Sequence, residues 1–594
     1  MLRLSTVILL LGALAALGCR DRADRDSSSA DAPNPFREGI SLPVRDGYDD
    51  VGSPGIRTTP RSAAGPRIRL LDVAAQVGLD HVYRNGAVGE NLMIEATGGG
   101  CAWLDYDGDH AWDLYLIQGG DPLNTSAPEQ PSDRLFRATG KGTFEDVTEM
   151  AGIAQFGYAQ GVAAGDFDND GFDDVYVTNV GANVLYHNQG DGTFQDVTVA
   201  AGVGDTRWST TAAWSDVDRD GDLDLYVCNY CLYDPRNPID CQRDGQPRMC
   251  NPKVAEPVPD EFFLNNGDGT FSAALEERGL SAPPGRALGV VMADFDNDGD
   301  ADVYVANDTT PNYLFVNDGQ GRFSESSTLL GCAVDVNGNP EASMGVACGD
   351  YDGNGYLDLY VTHFHRESNT LYRNLGSRGF EDVTGLAGLH GPTLKYLGFG
   401  TVMTDFDLDG RQELFIVNGH IDPDKGLEGE PYQMQPQLFT FDGSRWRECG
   451  VEAGDYFSAR RVGRGVATAD FDDDGDLDLC VVHQNAPVAL LRNDSNRGHW
   501  LKLAFLGHLS NRRGIGVRVT LRAGDRSFVK QLFGGSSYAV SHQPVLVFGL
   551  GAYRGPCRLE IHWPSGATQQ LDGVGLDQML RIEEPWKGGS SGAQ

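Results

Sequence analysis

Carboxylates recur at alternate positions in one short pattern of this chain. The clearest copy, residues 166–174, has acidic side chains at positions 1, 3, 5 and 9 and Gly171 at position 6. Side chains at odd positions of a tight turn can surround one hard cation, and Ca²⁺ takes six to eight oxygen ligands. Glycine at position 6 permits the sharp turn, because it adopts backbone angles that other residues avoid. The pattern therefore predicts a calcium-binding loop.

The pattern occurs seven times, at steps of 61, 50, 78, 56, 55 and 65 residues. We number the copies loops 1 to 7 along the chain. A single copy is also compatible with an acidic surface turn, but seven copies favour up to seven Ca²⁺ sites that tie strands together, with calcium sensing as the alternative. Because His110 replaces Gly at position 6 of loop 1, we expect that loop to bind most weakly. The predicted ligands are Asp105, Asp107, Asp109 and Asp113; Asp166, Asp168, Asp170 and Asp174; Asp216, Asp218, Asp220 and Asp224; Asp294, Asp296, Asp298 and Asp302; Asp350, Asp352, Asn354 and Asp358; Asp405, Asp407, Asp409 and Glu413; and Asp470, Asp472, Asp474 and Asp478.

Each loop is expected to lead into a strand and not into a helix. An EF-hand needs a bidentate Glu at position 12 between two helices, whereas position 12 of loop 2 is Val177, inside the strand-like run 174–178. The turn Asn-Gln-Gly-Asp-Gly at 188–192 predicts a hairpin further along the repeat, and Phe-Gln-Asp-Val-Thr stands at 194–198. A complete repeat is thus expected to contain four strands.

Four-stranded units at this spacing are typical of β-propeller blades, so seven loops predict an all-β fold with a seven-bladed propeller. The seventh repeat lacks its last strand after residues 490–493, and a matching segment, Ile-Arg-Leu-Leu-Asp-Val, stands at 68–73. We therefore expect the N-terminal strand to complete the last blade, because closure removes exposed sheet edges.

These repeats resemble the FG-GAP and VCBS repeats of integrin α-chain propellers and bacterial surface proteins. After residue 497 the Asp loops stop, and the segments 499–503, 514–520, 534–538, 547–551 and 561–566 are similar to an ASPIC/UnbV domain. The alternation in 517–522 predicts a small β-sandwich-like domain. A propeller followed by this domain resembles the cartilage acidic protein family and its bacterial relatives. The predicted organisation is a signal peptide at 1–19, a disordered tether at 20–66, the propeller at 67–496, the ASPIC/UnbV-like β domain at 497–585 and a flexible tail at 586–594.

The first residues predict export. The apolar run 7–17 is too short to span a bilayer and is typical of a signal peptide. It ends Ala-Leu-Gly-Cys, which resembles a bacterial lipobox with Ala16 where Leu is preferred, so Cys19 is the predicted lipidation site and ordinary signal cleavage is the alternative. We expect the protein to be an exported lipoprotein at the periplasmic or outer cell surface, attached to the membrane only through this lipid anchor.

Ten cysteines remain when Cys19 is set aside, and an even number in an exported chain favours disulfides. Cys228, Cys231, Cys241 and Cys250 are expected to pair among themselves and to staple an insertion, with a zinc site as the alternative. Cys332 and Cys348 are a candidate second pair. Four further cysteines remain unassigned: Cys101, Cys449, Cys480 and Cys557.

Four histidines stand after predicted second strands, and they are candidates either for transition-metal ligands or for hydrogen-bonded strand ends: His363, His365, His420 and His483. Trp500, Tyr538 and Trp563 are candidates either for sugar stacking or for the core. Within the predicted propeller and ASPIC/UnbV-like domain, residues 67–585, we find no Gly-x-Ser-x-Gly, His-Glu-x-x-His or phosphate-loop motif.

The formal charge of −38 argues against nucleic-acid binding, which needs clustered Lys and Arg. The favoured function is a non-catalytic scaffold for adhesion that binds an extracellular protein or glycan. The alternative is a polysaccharide lyase or hydrolase with its site at the mouth of the propeller channel, since such enzymes use carboxylates far apart in sequence.

Overall fold

The computed structural model describes residues 68–87, 89–123, 131–140, 142–243, 245–423, 431–495 and 497–586. The predicted signal peptide, Cys19, the tether and all of the tail beyond residue 586 lie outside these ranges. Within them, no helix is long and apolar enough to cross a membrane. The predicted all-β fold with four-stranded repeats is confirmed.

In the described chain, seven four-stranded antiparallel sheets lie between residues 70 and 493. Strand β1 is Leu70–Asp72 and belongs to sheet 7. Sheet 1 contains β2 (Cys101–Leu104), β3 (Asp113–Leu116), β4 (Arg134–Ala138) and β5 (Phe144–Asp146); sheet 2 contains β6 (Ala159–Gly165), β7 (Asp174–Asn179), β8 (Val184–Asn188) and β9 (Phe194–Asp196). Sheet 3 contains β10 (Ser209–Ser215), β11 (Asp224–Asn229), β14 (Glu261–Asn265) and β15 (Phe271–Ala273), and the short hairpin β12 (Gln242–Arg243) and β13 (Gln246–Pro247) lies in its insertion.

The remaining sheets repeat the same order. Sheet 4 contains β16 (Ala287–Ala293), β17 (Asp302–Asn307), β18 (Tyr313–Asn317) and β19 (Phe323–Glu325); sheet 5 contains β20 (Val346–Gly349), β21 (Asp358–Val361), β22 (Thr370–Asn374) and β23 (Phe380–Asp382). Sheet 6 contains β24 (Gly398–Thr404), β25 (Glu413–Asn418), β26 (Gln437–Phe441) and β27 (Trp446–Glu448); sheet 7 contains β28 (Gly463–Ala469), β29 (Asp478–His483) and β30 (Ala489–Asn493) with β1.

The first strands of the sheets form a closed cycle. Each of β2, β6, β10, β16, β20, β24 and β28 contacts the next, and β28 contacts β2. These strands are buried almost throughout, and small residues let neighbouring sheets approach, as at Gly161, where a Cβ would lie 2.3 Å from the carbonyl oxygen of Thr210. The arrangement is propeller-like, with the first strands innermost.

The junction of the cycle joins the two ends of the repeat array. Strand β1 pairs antiparallel with β30, with Leu70 opposite Asn493. This is the pairing that the sequence predicts for the N-terminal strand.

Short helices come after several fourth strands, a feature that the strand pattern did not predict. Helices α1 to α5 end where Gly takes a left-handed conformation, for example Gly202 with φ 77°. The helices are α1 (Ala74–Val77), α2 (Thr148–Ala151), α3 (Thr198–Ala201), α4 (Ser327–Leu330), α5 (Thr384–Ala387), α6 (His390–Thr393) and α7 (Gly450–Ala453), with 3₁₀ turns at Met93–Ala96, Pro252–Val254, Gly376–Arg378 and Asp455–Ser458.

Residues 497–586, which we call the C-terminal region, form two further sheets. A three-stranded sheet has the order β34-β31-β37, and a four-stranded sheet has the order β33-β32-β35-β36. Their apolar faces share one core that includes Leu503, Val519 and Ile561. The strands are β31 (His499–Leu506), β32 (Arg518–Ala523), β33 (Arg526–Gln531), β34 (Leu546–Gly551), β35 (Cys557–His562), β36 (Thr568–Val574) and β37 (Gln578–Glu583).

One disulfide occurs in the described chain, between Cys241 and Cys250 in the insertion of sheet 3, with Cα atoms 5.4 Å apart. Cys228 and Cys231 are free thiols, which corrects the expectation that all four pair among themselves and excludes a four-thiolate zinc site. Their burial explains the difference, because Cys228 packs into the core between sheets 3 and 4, whereas Cys231 packs near Trp208 in another cluster.

The expected pairing of Cys332 with Cys348 is wrong. Both are buried free thiols of one apolar cluster. The Cys332 Sγ donates to the carbonyl oxygen of Ser327 at 3.8 Å, so its thiol is turned to the backbone of its own loop.

Candidate functional site

The seven Asp loops share one backbone frame. Position 1 comes directly after the first strand of its sheet and position 9 begins the second strand. In loop 2, Asp166 Oδ2 accepts the Gly171 N–H at 2.9 Å, and Asp174 Oδ2 accepts the Phe167 N–H at 3.1 Å. Asp174 Oδ1 accepts the Asn188 N–H from the third strand at 2.8 Å. These bonds curl the loop and point its carboxylates inward.

Each loop turns at two left-handed positions and not at one. Position 6 has positive φ as predicted, including His110 at φ 69° in loop 1. Position 4 is also left-handed, and there the residue varies from Asn169 at φ 61° to Leu408 at φ 52°. Because side chains rarely adopt this conformation, the hydrogen bonds of the frame must stabilise it.

The carboxylates of the loops converge. Ligand oxygens lie within 4.8 Å of one another in the groups Asp105, Asp107 and Asp113; Asp166, Asp168 and Asp174; Asp216, Asp218 and Asp224; and Asp294, Asp296 and Asp298. Asp168 and Asp170 also converge with His187. The structure thus brings together predicted ligands that are up to eight residues apart.

Three of these carboxylates have a buried oxygen with no hydrogen-bond partner: Asp218 in loop 3 and the position 1 residues of loops 2 and 3. Asp166 Oδ1 and Asp216 Oδ1 are buried without a hydrogen-bond partner. Burial, and then repulsion from neighbouring carboxylates, raises the pKa of Asp166 and of Asp216 to about 7 each. A buried acceptor among several carboxylates fits a hard divalent cation such as Ca²⁺.

An asparagine ladder, which the repeat pattern did not predict, links successive sheets. The residue that ends the third strand donates its Nδ2 to the position 2 carbonyl of the preceding loop, as from Asn317 to Val217 at 2.9 Å and from Asn493 to Phe406 at 2.9 Å. The sequence signal that could have revealed this ladder is an Asn 14 to 16 residues after position 9 of the Asp loop in the same sheet, which is present in four of the five cases. The five members are Asn188, Asn265, Asn317, Asn374 and Asn493.

The C-terminal region contacts the loop side of the sheets with basic side chains. Arg513 Nε lies 2.7 Å from Asp173 Oδ1 in loop 2, and Arg526 Nη2 donates to the Asp409 carbonyl of loop 6 at 2.9 Å. Lys502 Nζ lies 2.6 Å from Asp470 Oδ2 in loop 7. Burial alone would lower the pKa of Lys502. The negative charges of Asp470 and Asp473 outweigh the effect of burial and raise that pKa.

A segment of the C-terminal region, residues 533–543, fills the centre of the cycle. It bonds to six of the seven innermost strands, for example through the Trp214 N–H to the Gly534 carbonyl at 3.2 Å and the Val162 N–H to the Ala539 carbonyl at 3.2 Å. Tyr538 is only 1% exposed, with its ring 5.0 Å from that of Phe399. Met93 and Ile94 of the 3₁₀ turn Met93–Ala96 pack in the same apolar cluster as Tyr538.

The aromatic side chains that were candidates for sugar stacking have other roles. Tyr538 is enclosed in the channel and Trp563 lies in the core of the C-terminal region. Trp500 is half-buried and packs against Gly475 of loop 7, where a Cβ would lie 2.2 Å from its ring. All three therefore pack within the fold.

One serine–histidine pair in segment 533–543 has a hydrogen bond in the wrong direction to activate the serine as a nucleophile. Ser536 Oγ lies 3.0 Å from His542 Nε2. The His542 Nδ1 accepts the Thr468 N–H at 3.0 Å, and burial lowers the pKa of His542 to about 4. The neutral ring therefore carries its proton on Nε2 and donates to Ser536, whereas an activated serine must donate to the histidine.

The four candidate histidines have different neighbours. His365 and His420 face each other with ring centroids 6.2 Å apart. His363 Nε2 lies 3.3 Å from Glu341 Oε2, and His483 Nε2 is bonded to the Tyr456 hydroxyl at 2.9 Å. His363 and His483 therefore fit the alternative interpretation, in which these histidines are hydrogen-bonded residues at the ends of strands.

Comparison with protein families identifies the class of the chain. A family described as FG-GAP-like repeat matches at residues 105–177, 166–227, 254–305, 294–361 and 350–416. A family described as ASPIC and UnbV matches at residues 507–588. The chain therefore belongs to the proteins that combine FG-GAP repeats with an ASPIC/UnbV domain, as its resemblance predicted.

Among curated proteins, the chain is similar to cartilage acidic protein 1. It is 26% identical to the human protein over 351 residues, which is 56% of this chain and 49% of that protein. It is 25% identical to the Mus musculus protein over 357 residues, which is 56% of this chain and 50% of that protein. The match thus spans about half the length of these relatives.

Similarity to solved structures is weak. A structure of an Agrocybe aegerita lectin, described as recognising non-reducing terminal N-acetylglucosamine, has a TM-score of 0.37 at 15% identity and covers 66% of this chain and 86% of that chain. YCF48 bound to D1 peptide has a TM-score of 0.39 at 7% identity and covers 72% of this chain and 94% of that chain.

Proposed function

We propose that this protein is a rigid, calcium-loaded scaffold that binds an extracellular protein or glycan without turning it over. The observation that carries the proposal is the filled centre of the sheet cycle. With residues 533–543 bonded to six inner strands, the channel mouth beside the loops is not open to a substrate. The repeats then serve as a stiff frame and not as the walls of a reaction cleft.

The cavity beside the Ser536–His542 pair is too small to hold a polysaccharide chain. The cavity between the C-terminal region and the sheets, lined by residues such as Gln412, Lys530 and His542, has a volume of about 120 Å³. Pockets for small ligands are roughly 300–1,000 Å³, so a polysaccharide chain would not fit there. The Ser536–His542 pair beside it has the polarity of a structural hydrogen bond.

The calcium part of the proposal rests on loops 2 and 3. Their position 1 carboxylates, Asp166 and Asp216, each keep a buried oxygen without a donor. A divalent cation would satisfy these oxygens and offset the repulsion among the acidic side chains of each loop. Calcium would thereby stabilise the sheets.

The face opposite the loops is the expected ligand surface. The insertion of sheet 3 begins at the end of β11 that is farther from loop 3. The β12–β13 hairpin of this insertion is held by the Cys241–Cys250 disulfide. Leu232 is 67% exposed and Val254 is 53% exposed in this insertion. Exposed apolar side chains on a stapled projection suit contact with another macromolecule. As part of the proposal, the apolar run 7–17 and Cys19 would export and anchor the chain.

The test is a calorimetric calcium titration of the chelator-stripped chain, with thermal unfolding followed in parallel. We expect several ions to bind and the melting temperature to fall on stripping. Absence of calcium binding would refute the calcium part of the proposal. For the scaffold part, the immobilised protein is exposed to a panel of glycans and matrix proteins, and soluble products are measured. Saturable binding without products is expected, and release of oligosaccharides would establish the enzymatic alternative instead.

A further inference from the structure

Loop 7 is the Asp loop whose position 1 carboxylate is in direct contact with a lysine ammonium. Lys502, in strand β31, places its Nζ 2.6 Å from Asp470 Oδ2 and 2.6 Å from Asp473 Oδ1. The Lys502 side chain is 2% exposed and that of Asp470 is fully buried. The contact between Lys502 and Asp470 joins two buried groups, and short charge-assisted contacts of this kind are strong.

A second cation reaches the same loop. Arg497 Nη1 lies 2.6 Å from Asp474 Oδ2 and 3.1 Å from Asp476 Oδ2. Asp476 is 1% exposed, so this contact is also largely removed from water. Loop 7 therefore receives two positive charges from the C-terminal region and from the segment that leads into it.

The oxygens of Asp470 are all engaged, in contrast with those of loops 2 and 3. Asp470 Oδ1 accepts the Asp474 N–H at 3.0 Å. Asp470 Oδ2 accepts the Gly475 N–H at 2.9 Å in addition to the Lys502 ammonium. The equivalent Asp166 Oδ1 and Asp216 Oδ1 have no donor. In loops 2 and 3 the position 1 carboxylate has an unpartnered oxygen that a cation could satisfy, whereas in loop 7 the Lys502 ammonium already contacts that carboxylate.

We propose that Lys502 replaces calcium in loop 7, so that the protein itself supplies the cation at position 1 of this loop, whereas loops 2 and 3 bind calcium. The inference rests on the proposed calcium binding of loops 2 and 3. An ammonium and a Ca²⁺ ion that share one buried carboxylate repel each other strongly, because screening by water is weak there. The neighbours of Lys502 in β31, Leu501 and Leu503, pack in the core of the C-terminal region, and the Lys502 side chain is itself 2% exposed, so the ammonium is enclosed beside Asp470.

The experiment counts calcium ions per full-length chain by equilibrium dialysis and metal analysis. The two variants are D472N and D168N, which both change position 3 of a loop at an exposed aspartate. We expect D168N to lower the count by one ion and D472N to leave it unchanged. A loss of one ion in D472N would overturn the inference. If the wild-type protein binds no calcium, or if D168N loses none, the proposed calcium function fails instead.

A gain-of-site variant tests the same inference from the other side. K502M keeps an apolar stem of similar length and removes the ammonium, so it is expected to bind one more ion than wild type. K395M, which removes a lysine that lies over the Tyr396 ring away from the loops, is the matched control and should bind the wild-type number. An unchanged count in folded K502M would contradict the inference. If K502M fails to fold, the comparison of D472N with D168N decides.

Discussion

Leu70 pairs with Asn493 across the junction where the cycle of sheets closes. Leu70 is 1% exposed, whereas its neighbour Leu71 points outward and is 38% exposed. We expect L70A to lower the free energy of unfolding by about 2–5 kcal/mol, because it leaves a cavity in a buried site. Denaturant unfolding measures the change. L71A is the control, and equal losses in the two variants would show that β1 does not seal the junction.

The asparagine ladder predicts a loss of coupling between neighbouring sheets. Asn317 Nδ2 donates to Val217 and to Ala301, and its Oδ1 accepts the Gly319 N–H at 3.1 Å. N317A leaves several buried backbone groups without partners, which costs about 1–3 kcal/mol each. Thermal unfolding should show a clear drop in melting temperature. The control N266A changes an exposed asparagine that follows the ladder residue Asn265, and it should unfold as wild type does. Wild-type stability of N317A would refute the structural role of the ladder.

Segment 533–543 predicts strict limits on residue size. A Cβ on Gly534 would lie 2.1 Å from the Trp214 carbonyl oxygen, with backbone on both sides of the clash. We expect G534A to destabilise the protein by about 1–3 kcal/mol through overpacking, and to expose the C-terminal region to limited proteolysis. G575A is the control, since a Cβ there meets only the Gln578 side chain, at 2.9 Å. Wild-type resistance to protease in G534A would count against tight docking of the segment.

His81 predicts a component of acid sensitivity. Its Nε2 is 3.0 Å from the Ile117 carbonyl oxygen, and burial lowers the pKa of His81 from 6.5 to about 4. Between those two values the unfolded chain binds the proton more readily than the folded chain, so stability falls as pH drops from about 6.5 towards 4. The contribution is on the order of 3 kcal/mol.

The measurement is the free energy of unfolding of wild type and H81Q at pH 7 and pH 4.5. We expect the difference between the two proteins to shrink or reverse at the lower pH, because only the wild type has this proton to take up. Other titrating groups, including the loop carboxylates, are common to both proteins and cancel. Parallel pH profiles would contradict the assignment.

Local residue patterns predicted most of the fold. The carboxylate spacing located seven strand–loop–strand units, and the segment at 68–73 predicted the pairing of β1, because both signals are contained in short stretches. Position 4 of the loops was missed since residues as different as Leu408 and Arg219 adopt the left-handed conformation there. In the other five loops position 4 is Gly, Asn or Asp, which favour this conformation, whereas in loops 3 and 6 the surrounding hydrogen bonds must select it.

Long-range docking explains the features that local patterns did not predict. Residues 533–543 are rich in Gly and Ser and have no periodicity, so their position in the channel depends on strands hundreds of residues away. The contact of Lys502 with Asp470 of loop 7 was not predicted for the same reason, because the two residues belong to different parts of the chain. The free thiols Cys228 and Cys231 show that spacing alone does not fix disulfide pairing.

The filled centre of the sheet cycle also dictates an order of assembly. During synthesis the innermost strands of all seven sheets emerge before residues 533–543, so the backbone groups that this segment will bond face an open channel in the nascent chain. A chain that stops short of Gly534 would present those groups to solvent or to other polypeptides. The interior of the cycle is therefore sealed only after residues 533–543 have been synthesised, so this segment completes the packing of strands that were made before it.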